Sequence, residues 1–280
     1  MIYISDNFID QLLLDDIQYG DLTTRSLGLQ RQQGVMTFTS KKGGCVSGMN
    51  IAMRMLNKLS IECQGFYQEG EIVEPNSCLI TASGSIEALH QGWKAVQNVL
   101  EWCGGVSHYT YQMVTQLQQY QPDGQLACTR KSIPATKPLA LTAIIAGGAI
   151  IHRAGSAESI LLFTNHRNCL ADPNDWQSHI QQLRTAAPEK QIIVEADNIE
   201  QTYLALAAKA DIIQLDKFTP QQVHQLQQEI DKHQYSCRLS VAGGINLQTI
   251  AEYAKTGVTI FVTSAPYYAP PRDIKVHIST

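Results

Sequence analysis

The chain has 280 residues, of which 44% are apolar and 16% charged, and its formal net charge is −4. That is an ordinary globular balance, enough for one barrel with an appendage or for two average domains. Without a long basic run, a nucleic-acid surface is disfavoured.

The first ten residues, Met1 to Asp10, carry acidic side chains and no basic ones, a pattern unlike a signal peptide. The longest apolar stretch, Pro138 to Ile151, is too short to span a bilayer and contains Gly147 and Gly148. There are seven cysteines, an odd number, with no C-x-x-C spacing. They are expected to be reduced packing thiols rather than a disulfide scaffold or a zinc site. A soluble cytoplasmic protein with no membrane or nucleic-acid partner is the reading.

In chain order, Val35–Thr39 alternates loosely, and Gly43, Gly44 and Gly48 punctuate the chain after it. Ile51–Leu59 reads as a helix, Glu69–Ser83 as a hairpin-like pair of short runs around Pro75 and Asn76, and Ile86–Trp102 as a long amphipathic helix. A separate α+β domain is placed there, with its boundary near Gly104–His108. Gln125–Thr129 is a strand, followed by a helix over about Pro138–Gly147. Ile160–Thr164 is another strand, and the loop Asp172–Asp175 precedes a helix over Trp176–Ala186.

The last third is the most legible. Gln191–Ala196, Asp211–Asp216, Arg238–Ala242 and Val258–Thr263 are short apolar runs. Helical segments alternate with them. Ile199–Lys209 is the first. The second is capped by Thr219 with Pro220 at its first position and a Val223, Leu226, Ile230 stripe. The third is capped by Asn246, carries Leu247, Ile250, Ala251 and Ala254, and stops at Gly257. Continuous rather than alternating apolar strands are buried on both faces, which is the pattern of a parallel sheet covered by helices. The short, regular repeats favour a barrel over an open sheet.

In a parallel barrel the chemistry sits at the C-terminal strand ends. Those ends present Arg130 and Lys131, then Glu195, Asp216, Gly243 with Gly244, and Thr263 with Ser264. Small-residue turns expose backbone N–H groups to a phosphate. Carboxylates on neighbouring strands can hold ribose hydroxyls, or Mg²⁺ through water. The densest cationic region is Thr129-Arg130-Lys131, Lys137 and His152-Arg153, and the last pair follows a very apolar segment, which suggests a buried anion site. Taken singly, Glu195 could be a helix cap and Asp216 a turn residue; the argument rests on all of them falling on one face.

Thr129–Arg153 (TRKSIPATKPLALTAIIAGGAIIHR) resembles the TRKT-P, Gly-turn and HR landmarks of the quinolinate phosphoribosyltransferase family. Gly20–Thr24 resembles that family's GD-TT. Glu195, Leu215-Asp216, Gly243 with Ile245, and Thr256-Gly257-Val258 follow its later landmarks in order. The resemblance covers nearly the whole chain. It implies an N-terminal α+β open-faced sandwich domain (1–106, joined by 267–280) and an incomplete, TIM-like α/β barrel phosphoribosyltransferase domain (107–266). It also implies a pentosyl transfer in which a ring nitrogen displaces pyrophosphate from phosphoribosyl pyrophosphate with Mg²⁺, followed in the quinolinate enzymes by decarboxylation. Arg130, Lys131, His152 and Arg153 carry over as anion-binding groups, with Thr129 beside them, and Lys131 is also taken as catalytic. Glu195 and Asp216 carry over as partners of the ribose hydroxyls and the metal. Gly243 and Gly244, with Ala242, Thr263 and Ser264, form the 5′-phosphate cradle. The family is dimeric, as a homodimer or a hexamer built from dimers, and a basic residue reaches the site from the partner subunit; Lys94 occupies that position.

Departures gather on the base-binding side. The family's Arg on the long helix is Lys94, preceded by Trp93 instead of Glu, and another family Arg is Lys137. A family Lys is replaced by Phe163, the Ser before the phosphate glycine by Ala242, and the Asn after the metal-associated Asp by Lys217. Trp93-Lys94 and Thr263–Pro271 (TSAPYYAPP) resemble the ModD branch, paralogues associated with molybdenum-transport operons. A non-catalytic phosphate-, oxyanion- or nucleotide-binding regulator on the same scaffold is the rival reading. The retained carboxylate pair argues against it, because an anion sensor gains nothing from two carboxylates.

Overall fold

The computed structural model describes residues 2–280 and divides into two compact units. One comprises the chain up to Tyr111 with Ser132–Gly148 and Pro266–Thr280; the other comprises Gln112–Lys131 and Ala149–Ala265.

In the first unit α1 (Asp6–Ile17) starts at Ser5, whose hydroxyl accepts from the Phe8 N–H. Helix α2 (Leu22–Ser26) starts at Asp21, whose carboxylate accepts from the Thr24 N–H at 2.6 Å. Part of the Gly20–Thr24 motif is therefore an N-cap. Next come β1 (Gln33–Ser40), β2 (Gly44–Cys45), α3 (Met49–Lys58), β3 (Glu62–Gly65), β4 (Ile72–Val73), β5 (Ser77–Ser85) and α4 (Ile86–Tyr120), whose residues from Gln112 on belong to the second unit. The C-terminal strand Ile274–Ser279, β1, β5 and β3 form an antiparallel sheet in that order. Strands β4 and β5 are not a hairpin: β4 pairs with β2, while β5 pairs with β1 and β3. The turn between them holds Asn76 at φ +66° and donates the Asn76 N–H to the Ser40 carbonyl at 2.7 Å.

Helix α4 runs eighteen residues beyond the expected Trp102 and passes through Gly104 and Gly105 unbroken. Each glycine costs about 1 kcal/mol of helix propensity relative to Ala. Close approach explains Gly105, because a Cβ there would lie 2.5 Å from the Pro270 carbonyl oxygen. Helix α5 (Lys137–Ala146) completes this unit, with Pro138 in its first turn.

The second unit takes β6 (Gln125–Cys128), β7 (Ile150–Ile151), β8 (Ile160–Leu162), α6 (Thr164–Arg167), α7 (Trp176–Ala186), β9 (Ile192–Ala196), α8 (Ile199–Ala207), β10 (Ile212–Asp216), α9 (Pro220–His233), β11 (Arg238–Ala242), α10 (Ile250–Ala254) and β12 (Ile260–Thr263). Its sheet is parallel throughout, in the order β7-β6-β12-β11-β10-β9-β8. Strands β7 and β8 lie at opposite edges, so this is an incomplete barrel with a seam between them.

Local signals set the helix starts. Asp175, Asn198 and Thr219 each accept a backbone N–H from three residues on, and Thr219 and Gln222 form a reciprocal capping box. Asn246 is not the cap expected of it. Its carboxamide oxygen accepts from the Gln248 and Thr249 N–H groups, an Asx-type turn, and α10 begins only at Ile250.

Register then decides what faces the barrel interior. Glu195 pairs with Gln214, Gln214 with Ser240, and Asp216 with Ala242, so partners point to the same side. Leu161, Ile193 and Ile212 cluster with Phe163 and Ile260, while Ala127, Ala242 and Val262 form a second cluster. These apolar groups fill the interior below the strand ends.

Candidate active site

The C-terminal strand ends enclose one cavity of about 770 Å³, walled entirely by the second unit. Thr129, Arg130 and Lys131 enter it after β6, His152 and Arg153 after β7, and Phe163 after β8. Glu195 comes from β9 and Asp216 from the end of β10. Ala242, Gly243 and Gly244 come from the end of β11, and Thr263 and Ser264 from the end of β12. Thirteen of the fifteen residues singled out from the sequence thus share one wall. The other two, Lys94 and Lys137, belong to the first unit. Lys94 donates to Gln97 Oε1 at 2.8 Å and lies 4.0 Å from the Trp93 ring centroid. Lys137 opens α5.

One side of the cavity is cationic. Arg153 is only 7% exposed, and no carboxylate lies within ion-pair distance of it or of Arg130 among the described residues. Burial, and then the Arg130 charge, pull the Arg153 guanidinium below its usual range, partly offset by Glu158. A guanidinium stays charged even so. Two such groups without a carboxylate make a strong anion site. His152 is half-buried, and burial together with Arg153 pushes its pKa down to about 4. At neutral pH it is an uncharged imidazole. Phe163 closes this side, with the Arg153 guanidinium 5.6 Å from its ring centroid and its backbone N–H donating to His166 Nδ1 at 3.1 Å. Strand β8 ends at Leu162, earlier than expected, because the chain turns at Phe163 into α6.

The other side is anionic and glycine-rich. Burial first, then Asp216 and Asp197, raise the Glu195 carboxyl, while a hydrogen bond from Gln214 and the charge of Lys131 lower it. Gln214 Nε2 donates to Glu195 Oε2 at 3.3 Å. Gly243 and Gly244 have φ of +80° and +81°. At Gly243 a Cβ would lie 2.7 Å from Asp216 Oδ1, whereas at Gly244 it would meet nothing within 4 Å. Gly243 thus permits the turn to hug Asp216, and Gly244 leaves backbone open to the cavity. Thr263 Oγ1 braces the turn by donating to the Ile245 carbonyl at 2.6 Å.

Two carboxylates at neighbouring strand ends, one of them strained by burial and by the other's charge, favour a cation between them. No group of three or more His, Cys, Asp or Glu suited to a metal occurs among the described residues. A pair of carboxylates is compatible with Mg²⁺, which commonly takes one or two carboxylates with the remaining positions filled by water and substrate oxygens.

Three polar lining residues were not singled out as site residues from the sequence: Gln214, Lys217 and Asn246. Gln214 had a signal, being the one polar residue inside the apolar run Ile212–Leu215, at an even spacing from Asp216. Lys217 had been noticed only as a substitution. It adopts φ +60°, its N–H donates to the Ala242 carbonyl at 2.8 Å, and its ammonium lies 3.6 Å from Asp216 Oδ2. Cysteines are absent from this wall. Four of them are buried, but Cys169 is exposed, so packing does not account for it.

Residues 106–277 match the family model of the quinolinate phosphoribosyl transferase C-terminal domain, and residues 21–104 match its N-terminal domain. The chain belongs to the quinolinate phosphoribosyl transferase family. Within that family it is 51% identical over 278 residues to the protein of Escherichia coli O6:H1 named "Putative pyrophosphorylase ModD", covering 99% of this chain and 98% of the relative. It is 28% identical over 271 residues to the "Probable nicotinate-nucleotide pyrophosphorylase [carboxylating]" of Synechocystis, covering 96% and 90%. The fold of the nicotinate-nucleotide pyrophosphorylase from Ehrlichia chaffeensis matches with a TM-score of 0.90 over 100% of both chains, at 22% identity. The incomplete barrel and the α+β unit are therefore the architecture of a quinolinate phosphoribosyl transferase family member. No helix among the described residues is long and apolar enough to cross a membrane.

Proposed function

We propose that this chain transfers the phosphoribosyl group of phosphoribosyl pyrophosphate to a ring nitrogen of an aromatic heterocycle and releases pyrophosphate. The observation that carries it is the division of one cavity into a cationic wall (Arg130, Lys131, Arg153) and a carboxylate wall (Glu195, Asp216) beside an open glycine turn. The substrate has the complementary layout. It places phosphates at one end, ribose hydroxyls in the middle and a planar acceptor facing C1′.

In the reaction the nitrogen lone pair forms the N–C1′ bond while the bond from C1′ to the pyrophosphate oxygen breaks. The bonding electrons leave with pyrophosphate. Lys131 stabilises the charge that develops on the leaving group, and Glu195 and Asp216 face the cationic sugar. Gly243, Gly244 and Ser264 bind the 5′-phosphate through N–H and hydroxyl donors. The acceptor lies against His152, Arg153 and Phe163, and fixing it over C1′ provides much of the acceleration. Glu195 and Asp216 would hold Mg²⁺ directly or through water, and the ion would supply charge neutralisation for the pyrophosphate. No covalent nucleophile is needed, and a pyridine-type nitrogen loses no proton. The enzyme works in the cytoplasm, in keeping with seven free cysteines. As a homodimer or a trimer of dimers, it lends Lys94 to a neighbouring subunit.

Isothermal calorimetry tests this. Phosphoribosyl pyrophosphate should bind only with Mg²⁺ present, and Asp216→Asn or Glu195→Gln should each weaken binding about 10- to 150-fold, the worth of one charge-assisted contact. Unchanged affinity and unchanged Mg²⁺ dependence in both variants would refute the assignment and favour the non-catalytic regulator linked to molybdenum transport.

A further inference from the structure

Behind Phe163 lies a second chamber of about 760 Å³. Arg130, Arg153, Leu161 and Phe163 belong to its wall as well as to that of the first cavity, so the two adjoin with the Phe163 side as their common wall. The rest of its wall comes largely from the edge strand β8, from the segment after it, and from one face of α7. It occupies the side of the barrel where β8 has no further strand neighbour.

The chemistry of this wall is that of an organic-ligand site. Leu162, Leu170 and Leu183 make it predominantly apolar, and a few polar groups punctuate it. Two of those are buried without a hydrogen-bond partner, Ser159 Oγ and His179 Nδ1, and His179 as a whole is only 8% exposed. Buried polar atoms are ordinarily paired, and an orphan costs free energy that a ligand group can return. A chamber serving only as packing slack would have no reason to share both guanidinium groups of the anion site.

We propose that the acceptor is larger than one six-membered ring, and that a fused ring or apolar arm extends from it past Phe163 into this second chamber. Its single anionic group meets Arg130 and Arg153, its reacting nitrogen faces the sugar, and the extension lies against Leu162 and Leu183. A polar substituent on the arm can engage Ser159 or His179 after a side-chain rotation. This rests on the phosphoribosyl-transfer reading of the first cavity and narrows it to bicyclic or arylated nitrogen heterocycles carrying one carboxylate.

The test compares pyridine-2-carboxylate with quinoline-2-carboxylate, which differ only by a fused benzo ring. Both are titrated calorimetrically into the full-length protein with Mg²⁺ and pyrophosphate present, so that no turnover occurs. Burying the extra ring should make the bicycle bind about ten- to thirtyfold tighter. A second readout is direct. Cys169 is exposed and lies on the wall of the second chamber, so the bicycle, and not the monocycle, should slow its alkylation as followed by mass spectrometry. Leu183→Trp, and independently Ala186→Phe at an exposed position of the same wall, should abolish the tenfold preference while leaving pyrophosphate affinity unchanged. Equal affinities in the wild type, no protection of Cys169, or no binding of either heterocycle would overturn the proposal. If phosphoribosyl pyrophosphate also fails to bind, the phosphoribosyl-transfer reading itself is wrong; if it binds, only the second chamber's role is lost.

Discussion

Phe163→Lys is the substitution that most sharply probes acceptor choice. Quinolinate brings two carboxylates, and both must leave water to enter the cavity. Arg130 and Arg153 can meet one of them, but Phe163 offers the second only an apolar face, its ring centroid 5.6 Å from the Arg153 guanidinium. A charge-assisted hydrogen bond contributes about 1.5–3 kcal/mol, so the missing partner should cost about 10- to 150-fold in kcat/KM. The ammonium introduced by Phe163→Lys would restore it. That ammonium would also stand near Arg153, where two unit charges about 5.6 Å apart repel by roughly 3 kcal/mol at an effective dielectric constant near 20. A dianion relieves that repulsion on binding, so the gain for quinolinate should exceed the contact alone, while the gain for a monocarboxylate should be small. Steady-state kinetics with quinolinate and with pyridine-2-carboxylate on the wild type, Phe163→Lys and Phe163→Leu separate charge gained from ring lost. A wild-type kcat/KM for quinolinate above about 10⁴ M⁻¹s⁻¹, a rate ordinary for metabolic enzymes, would refute the reasoning. So would a Phe163→Lys variant no better than Phe163→Leu.

Three further outcomes are expected. His152 has its pKa pushed down to about 4 from a usual 6.5, so the fold favours its neutral form. The stability this gives is complete above pH 6.5 and is lost as pH falls toward 4; urea unfolding should show the wild type losing about 2 kcal/mol more than His152→Gln between pH 7 and pH 5. Gln214→Leu removes the side-chain donor to Glu195. It should weaken Mg²⁺-dependent binding of phosphoribosyl pyrophosphate by about 5- to 10-fold, the worth of one net hydrogen bond, with little change in the urea midpoint; unchanged affinity in calorimetry would deny Gln214 a positioning role. If Lys94 completes a neighbouring subunit's site, light scattering should find a dimer or a multiple of one at micromolar concentration, and a monomer that binds ligand normally would show that Lys94 has no such part.

What the sequence by itself determined was local or periodic. Continuous apolar runs such as Ile192–Ala196 and Ile212–Asp216 announced buried parallel strands, because a strand covered on both faces has no solvent side to alternate with. Thr219 with Gln222 and Pro220 announced α9 through donors and acceptors no more than three residues apart. Since strand ends follow from strand positions, Glu195, Asp216 and Gly243-Gly244 could be placed on one face before any packing was known.

Tertiary structure decided the rest, wherever the deciding partner is remote in sequence. Gly104-Gly105 looked like a break and is helical, with Gly105 accommodating the Pro270 carbonyl across 165 positions of chain. Asn246 looked like a cap, but its local turn delays α10 to Ile250. Gln214 became a partner of Glu195 only through the parallel register of β9 and β10. The second chamber exists because β8 remains an unpaired edge and α7 stands beside it, and no residue pattern along the chain records which edges of a sheet stay open. Periodicity and capping are energies of neighbours in sequence. Register, closure and cavities are set by contacts between distant segments, and only the folded chain specifies those.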